Sequence, residues 1–585
     1  MRLLQKKWLV SLFLFLVSLG IYIPSAGSDF VWDDVETIEN SYFAFQASSI
    51  SSIIIPGERE EKKALYYRPL IYASMVLDKG VWGVSPLGFH LSNIIFNAFS
   101  TVLFYLLVLL LLKEFQIGRY HSAAFVSALL FAFYPMHVES VSWVSGRTDV
   151  ICGLFFFLAF IAHILSFKHM YLLFVAAVGF SLSLLSKEVA VIFPLTVLIL
   201  DFLTGRLARF SSIPRYGVYT GLLLLYIYLR GRGFVNIPEL SGGRIAPESY
   251  VSPGAGALPE ITGVIKVILG SYFLYFKKLI FPFEFNAFIE SVPHGFYYII
   301  SSLAVLAMLL ITAFISAVKY RGITAFSILW ILITLIPSVL VSLFDLASTP
   351  AAERYLYIPS AGLCILLGYY IFRPGSGILT NRASWVFASL LLAVYLFFTV
   401  QRQGVWNDRL SLWEDTSRKS ATSPIPHINY GMALLDAGRE DEALKELLKN
   451  FGSGVDASNE AMSVTANNIG VVYINKEDLR SAENWFLRAY AYDPDYYKTN
   501  YHLGLVNYMK GYSENENSYY GVSEDYLKRA LELRPGYGKA YLLLAMVFVE
   551  LDDTEKAKSY AELALKSGLT DSTARKARKI LETEN

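Results

Sequence analysis

Two carboxylates stand side by side at Asp33 and Asp34, in a stretch Asp29-Phe30-Val31-Trp32-Asp33-Asp34 that follows the first apolar segment by a few residues. Paired acids can divide the work of a general base from that of orienting a substrate or holding a metal. An Asp-Asp pair by itself is most often a solvated turn, but its place just beyond a hydrophobic segment, flanked by Phe30 and Trp32, points to a functional site. Other ionisable residues also border apolar runs: Arg68 before Pro69, Arg147, Lys187-Glu188 and Glu353-Arg354. Charges that near to hydrocarbon are costly and tend to serve function. The plainer alternative is that Lys187-Glu188 and Glu353-Arg354 are internal ion pairs holding helix ends and that Arg68 caps a helix start. His137 and Glu139, two residues apart, could orient a base, bind an acceptor or join the Asp pair around a divalent ion, which needs three or more convergent ligands. His90 reads first as structural. Trp82, Trp143, Tyr66 and Tyr67 suit interfacial anchors or sugar-stacking platforms.

The elements that must position these groups are membrane helices. Of 585 residues, 55% are hydrophobic and 17% charged, against about 25% charged in a soluble domain, which excludes a single soluble core. A net charge of +1 leaves no nucleic-acid footprint, and Cys152 and Cys364 lie in apolar runs, so neither a disulfide framework nor a zinc site is supported. Crossing hydrocarbon takes roughly 20 apolar residues. Eleven stretches meet or approach that: 8–23, 91–112, 122–134, 148–165, 170–185, 189–203, 214–230, 295–318, 323–343, 355–372 and 383–400.

The basic loops between them (Arg2–Lys7, Lys113–Arg119, Lys168, Arg206–Arg215, Lys319–Arg321 and Arg373–Arg382) fall on one side, the cytoplasmic one by the positive-inside rule. The Asp pair, Arg68, Arg147, Lys187 and Arg354 then share the opposite side. Residues 261–283 are apolar but end in Lys277-Lys278 and Phe281-Pro282, and are expected as an interfacial or re-entrant helix. Residues 8–23 read as an uncleaved helix rather than a signal peptide. An odd number of crossings sends the C-terminal part to the non-cytoplasmic side, of the plasma membrane in a prokaryote or the endoplasmic reticulum in a eukaryote.

That C-terminal part carries charge at ordinary density and repeats itself. Gly470 and Gly504, in Asn-Ile-Gly-Val-Val-Tyr and His-Leu-Gly-Leu-Val-Asn-Tyr, stand one repeat apart, as do Ala530 and Ala564, while Pro494 and Pro535 end units. A period of 34 with small residues at fixed places resembles tetratricopeptide repeats. Units are expected near 427–450, 466–495, 500–535, with a polar insertion around 513–518, and 538–567. The expected fold is all-α: a transmembrane domain over 1–404 with an external loop 27–89, a linker over 405–426, and a repeat solenoid over 427–585. Such arrays stack into one continuous core with a concave face suited to extended peptide.

Taken together the motifs resemble the transmembrane and tetratricopeptide-repeat protein O-mannosyltransferases and their prokaryotic relatives, within the lipid-phosphate-sugar-dependent membrane glycosyltransferases of GT-C type. The resemblance runs over nearly the whole chain. It rests on Phe30–Asp34, Tyr67-Arg68-Pro69-Leu70, Gly88-Phe89-His90-Leu91, Pro135-Met136-His137-Val138-Glu139-Ser140-Val141-Ser142-Trp143, Gly146-Arg147-Thr148-Asp149, Ser186-Lys187-Glu188 and Ala352-Glu353-Arg354-Tyr355-Leu356-Tyr357-Ile358-Pro359. The family often has His-Pro where this chain has Tyr134-Pro135.

The resemblance implies transfer of a sugar from a polyprenyl-phosphate donor to a protein hydroxyl, with Asp33 or Asp34 as base. It implies Arg68, Arg147, Lys187 and Arg354 as cations for the departing phosphate, and His137, Glu139, His90 and Glu353 as orienting groups or ligands of a divalent cation. The implied partners are membrane lipids and an acceptor protein gathered by the repeats. Two other classes compete. A repeat scaffold needs fewer spans than an anchor of this size offers, and a transporter places its charges near the midplane, in repeat-related halves.

Overall fold

The computed structural model describes residues 6–39, 67–118, 120–207, 213–233, 261–320, 322–344, 347, 349–372, 381–452, 455, 457–567, 569 and 571–582. Among these residues the structure is helical and forms no β-strand, and the chain divides into two compact units.

The first unit comprises 1–238 and 253–415. Its helices begin with α1 (Lys7–Tyr22), α2 (Pro69–Trp82), α3 (Pro86–Glu114), α4 (Tyr120–Ala132) and the short α5 (Val138–Ser142). They continue with α6 (Arg147–Ser166), α7 (Leu172–Leu184), α8 (Phe193–Leu203), α9 (Ile213–Gly233), α10 (Ile261–Ile280), α11 (Phe296–Tyr320) and α12 (Ile323–Thr334). α13 (Ile336–Phe344), α14 (Pro359–Phe372), α15 (Asn381–Val405) and α16 (Arg409–Lys419) complete the series. α3 lies at the centre, packed against α1, α4 and α6, while α14 packs on α4 and α12.

Among the described residues six helical segments are long and apolar enough to cross a membrane: Lys7–Gly27, Pro86–Glu114, Val144–Ser166, Phe296–Lys319, Ile323–Phe344 and Arg382–Val405. A seventh arises if Tyr120–Ala132 and Pro135–Ser142, bent by 47°, count as one span. These make the chain a multi-pass membrane protein. Eleven stretches looked apolar in sequence, and the difference has local causes. Stretches 170–185 and 189–203 yield helices of 13 and 11 residues, separated by the 3-10 turn Glu188–Ile192. Stretch 355–372 yields 14 helical residues after a 3-10 turn at Glu353–Leu356. α9 carries Arg215, Arg230 and Arg232 on too few apolar residues. Residues 261–280 form a continuous helix of 20 residues ending in Lys277 and Lys278.

The second unit comprises 239–252 and 416–585. Its helices pair in sequence: α17 (Pro424–Asp436) with α18 (Glu440–Leu448), α19 (Asn459–Asn475) with α20 (Leu479–Tyr492), α21 (Tyr497–Glu514) with α22 (Ser518–Leu533), and α23 (Gly538–Glu550) with α24 (Thr554–Lys566), closed by α25 (Asp571–Glu582). Side-chain caps start three of them: Ser458, Asp478 and Asp553 accept from the backbone N–H of Ala461, Ser481 and Lys556, occupying donors a helix start leaves open. Gly470 faces the Phe486 ring and Gly504 faces Leu527, where an added Cβ would come within 2.7 Å of Leu527 Cγ. The spacing of small residues therefore records where paired helices touch.

Candidate active site

The Asp pair sits on a turn pinned from several directions. The Asp29 N–H donates to the Asn407 carbonyl at 2.9 Å, and Ser25 Oγ donates to Gln403 at 2.8 Å. Gln403 in turn donates to the Ile21 carbonyl at 3.0 Å. Phe30 is buried edge-on against Phe89, and His90, also buried, lies 3.4 Å from the Asp29 carbonyl. Trp32 adopts a left-handed backbone with φ 53°.

Beyond Trp32 the two carboxylates part. Asp33 is exposed. Asp34 is fully buried and accepts from the Ser145 N–H at 2.8 Å, from Ser145 Oγ at 2.5 Å and from the Val31 N–H at 3.4 Å. Burial pushes Asp34 up to about 7, against the pull of those donors. Ser145 lies in the 3-10 turn Val144–Gly146 that leads into α6, and this turn folds back tightly. A Cβ on Gly146 would lie 2.5 Å from the Glu139 carbonyl oxygen, so only glycine brings the Ser145 end of the turn and α5 together.

Each candidate cation has a carboxylate partner. Arg147, with no exposed side-chain surface, pairs with Asp78 at 2.7 Å, and donates to the Phe89 carbonyl at 3.0 Å. Lys187 Nζ reaches both Asp149 oxygens, at 2.6 and 2.5 Å. Burial pulls the Lys187 ammonium below its ordinary value, with Asp149 opposing. Arg354 pairs with Glu139 through its guanidinium and, at 3.1 Å, through its backbone N–H. Arg68 donates to Glu188 at 2.8 Å, with Arg230 4.0 Å from the other oxygen. At Glu188 burial alone would raise the carboxyl, but the Arg68 charge and hydrogen bonds win and leave it below its ordinary value.

The adjacent pairs read in sequence do not form. Lys187 turns to Asp149 and Glu188 to Arg68, while Arg354 turns to Glu139 and Glu353 to Lys278 and Arg402, at 3.0 and 3.4 Å. Both dipeptides lie at 3-10 turns, whose successive side chains point to different sides.

Aromatic rings join these charges to the Asp turn. Lys187 and Arg354 lie over the Tyr355 ring, 4.8 and 5.0 Å from its centre. Arg354 also lies 5.2 Å from Trp143, and Trp143 stacks on Trp32 at 5.2 Å. The arrangement can hold an anion against partly exposed cations, chiefly Arg68 and Arg354 (side chains 20% and 14% exposed), beside an outward carboxylate.

A tetratricopeptide-repeat family model matches residues 465–496 and 538–567. A Caenorhabditis elegans protein O-mannosyl-transferase is 27% identical over 74% of this chain and 61% of its own length. Human protein O-mannosyl-transferase TMTC1 is 25% identical over 76% of this chain and 55% of its own. TMTC3 of Mus musculus is 22% identical over 92% and 61%. Over 74–92% of its length the chain is similar to proteins of that name. It spans about three-fifths of the length of these relatives.

Of the residues singled out in the sequence, Asp33, Asp34 and His90 lie at the turn, and Arg68, Arg147, Lys187, Glu139, Glu353 and Arg354 lie in the ion-pair network described above. His137 departs from it. Its Nε2 lies 2.8 Å from Ser360 Oγ and its ring 4.5 Å from Tyr357, so that nitrogen is engaged by Ser360. A metal shared by His137, Glu139 and the Asp pair is therefore not built: Asp34 is committed to Ser145, Glu139 to Arg354 and His137 to Ser360. Among the described residues no three His, Cys, Asp or Glu side chains form a metal-holding group. Sequence reasoning missed Asp78, Asp149, Lys278, Arg402 and Tyr355. Asp149 and Tyr355 lie inside the quoted motifs, which was the available signal; Lys278 and Arg402 lay in stretches read only as helix ends.

Proposed function

We propose that this chain is an inverting membrane glycosyltransferase that moves a sugar, mannose by likeness to its relatives, from a polyprenyl phosphate to a protein hydroxyl on the non-cytoplasmic side. Residues 1–404 carry the chemistry and 427–585 gather the acceptor. The observation that carries this reading is that one indole, Trp143, touches both the Trp32 that precedes the outward Asp33 and the Arg354 guanidinium of the cation network.

A general base must reach the proton it takes. Asp33 is the exposed member of the pair and accepts the acceptor proton as the hydroxyl oxygen attacks the sugar C1. The bond from C1 to the phosphate oxygen breaks on the opposite face, and the phosphate departs with that electron pair. Arg354 and Arg68 meet the developing negative charge, which fixed cations in a site shielded from water stabilise strongly. Glu139 holds Arg354 and Glu188 holds Arg68, Lys187, Arg147 and Glu353 are paired beside them with Asp149, Asp78 and Lys278, Asp34 fixes the turn to Ser145, and His90 packs beneath it.

The test is transfer of labelled sugar from polyprenyl-phosphate donors to protein by the full chain, beside Asp33→Asn of equal folded yield. Transfer by wild type that falls on the order of 10²–10⁴-fold in the variant supports the reading. Absence of transfer by wild type with several sugars would leave a membrane-anchored repeat scaffold instead.

A further inference from the structure

Among the described residues five other than glycine have a left-handed backbone: Trp32, Gln116, Glu477, Asn515 and Asp552. The last four are polar and each directly follows or nearly follows the end of a helix, where such a conformation is ordinary. Trp32 ends no α-helix, and a bulky side chain there is a true outlier whose strain the surroundings must hold.

The surroundings are three more tryptophans. The Trp32 ring lies 5.2 Å from Trp143 and 6.4 Å from Trp406, nearly parallel to both at 19° and 20°. It meets Trp413 at 5.3 Å in an edge contact, and Trp143 and Trp406 stack on each other at 5.9 Å. Trp406 and Trp413 are buried. The indole N–H groups of Trp143 and Trp406 are buried without a hydrogen-bond acceptor, a cost that packing by itself does not call for.

We propose that Trp32 is a positioning residue for the acid pair: the tryptophan nest holds its left-handed backbone, and that backbone turns Asp33 outward while Asp34 turns in to Ser145. The proposal deepens the transferase reading, since it concerns the same turn, but the geometry it names stands whether or not sugar is transferred. Relaxation of residue 32 to an extended backbone would swing the two carboxylates out of their opposed directions and unseat Asp34 from its buried place. The groups that face Asp34 are Ser145, the neighbouring Asp33 and Arg147 across the turn.

The experiment compares wild type, Trp32→Phe, Trp32→Gly and Asp34→Asn in the full chain. Glycine removes the ring that the nest holds and populates an extended backbone as readily as a left-handed one, and phenylalanine keeps part of the stack. The readout that needs no activity is the pH midpoint of tryptophan emission attributable to Asp34, identified as the transition absent from Asp34→Asn. The expectation is that this midpoint falls by a unit or more in Trp32→Gly and returns most of the way in Trp32→Phe. In the transfer assay, kcat should fall at least tenfold in Trp32→Gly with the donor KM within twofold of wild type, and recover in Trp32→Phe. An unchanged midpoint in folded Trp32→Gly overturns the proposal even if transfer is lost. A moved midpoint in a protein whose wild type transfers nothing keeps the proposal and removes the transferase reading.

Discussion

Burial pushes the Asp34 carboxyl up to about 7, so the fold favours its protonated form below that pH. The sign for stability follows. The folded value lies above the ordinary 3.8, so the native chain binds this proton more tightly than the unfolded chain does. The stabilisation is complete below about pH 4 and is lost as pH rises through about 7. Asp34→Asn should therefore gain melting temperature relative to wild type between pH 4 and pH 8, measured in detergent by differential scanning fluorimetry; a difference that stays constant across that range would refute it. Activity moves the other way. Once ionised, Asp34 raises the basicity of Asp33 beside it, so the transfer rate should climb through about pH 7 in wild type and lose that limb in Asp34→Asn. Arg147 makes a different kind of prediction. Its guanidinium is spent on Asp78, so Asp78→Asn should cost about 3–5 kcal/mol of stability by leaving a buried charge unpaired, read by denaturant unfolding.

Among the elements, α6 connects two polar centres. Arg147 and Asp149 stand at its start, and 16 residues on, about 24 Å along the axis, His163 lies 2.9 Å from Tyr219 Oη and 3.2 Å from Asp201. Asp201 also accepts from Tyr216 at 2.8 Å, and Arg206 pairs with Glu114. α3, α6, α8 and α9 are thus tied at the end away from the Asp turn. Asp201→Ala should destabilise the membrane part by about 1–3 kcal/mol while leaving the donor KM unchanged. A large rise in KM would mean the two ends are coupled. None of this second centre was legible, since His163, Asp201 and Tyr219 sit singly in apolar runs and declare themselves only when the helices align. The Asp turn, Arg68, Lys187 and Arg354 were legible because each borders a hydrophobic stretch. Which carboxylate each cation pairs with was not, since Glu139 and Arg354 are joined across 215 residues and Lys187 and Asp149 across 38. The span count suffered likewise: a hydropathy window averages over Pro135 and Pro194, where the helices break or begin.

For the whole molecule, the repeats were the part read most directly, because each helix pair repeats the same contact. Gly504→Val would press a branched side chain onto Leu527 and should cost the repeat unit about 1–3 kcal/mol. It should weaken capture of a protein acceptor while transfer to a small soluble hydroxyl persists; equal loss of both would argue against a gathering role for the repeats. The seat of the Asp turn has one more consequence, for the order in which the protein is made. Asp33 leaves the ribosome early, but Gln403, Trp406, Asn407 and Trp413, which hold its turn, follow some 370 to 380 residues later. At 5–20 residues per second that is a wait of roughly 20 to 75 s, during which the charged motifs emerge one after another and the Asp turn has no seat until the apolar helix Arg382–Val405 has been delivered.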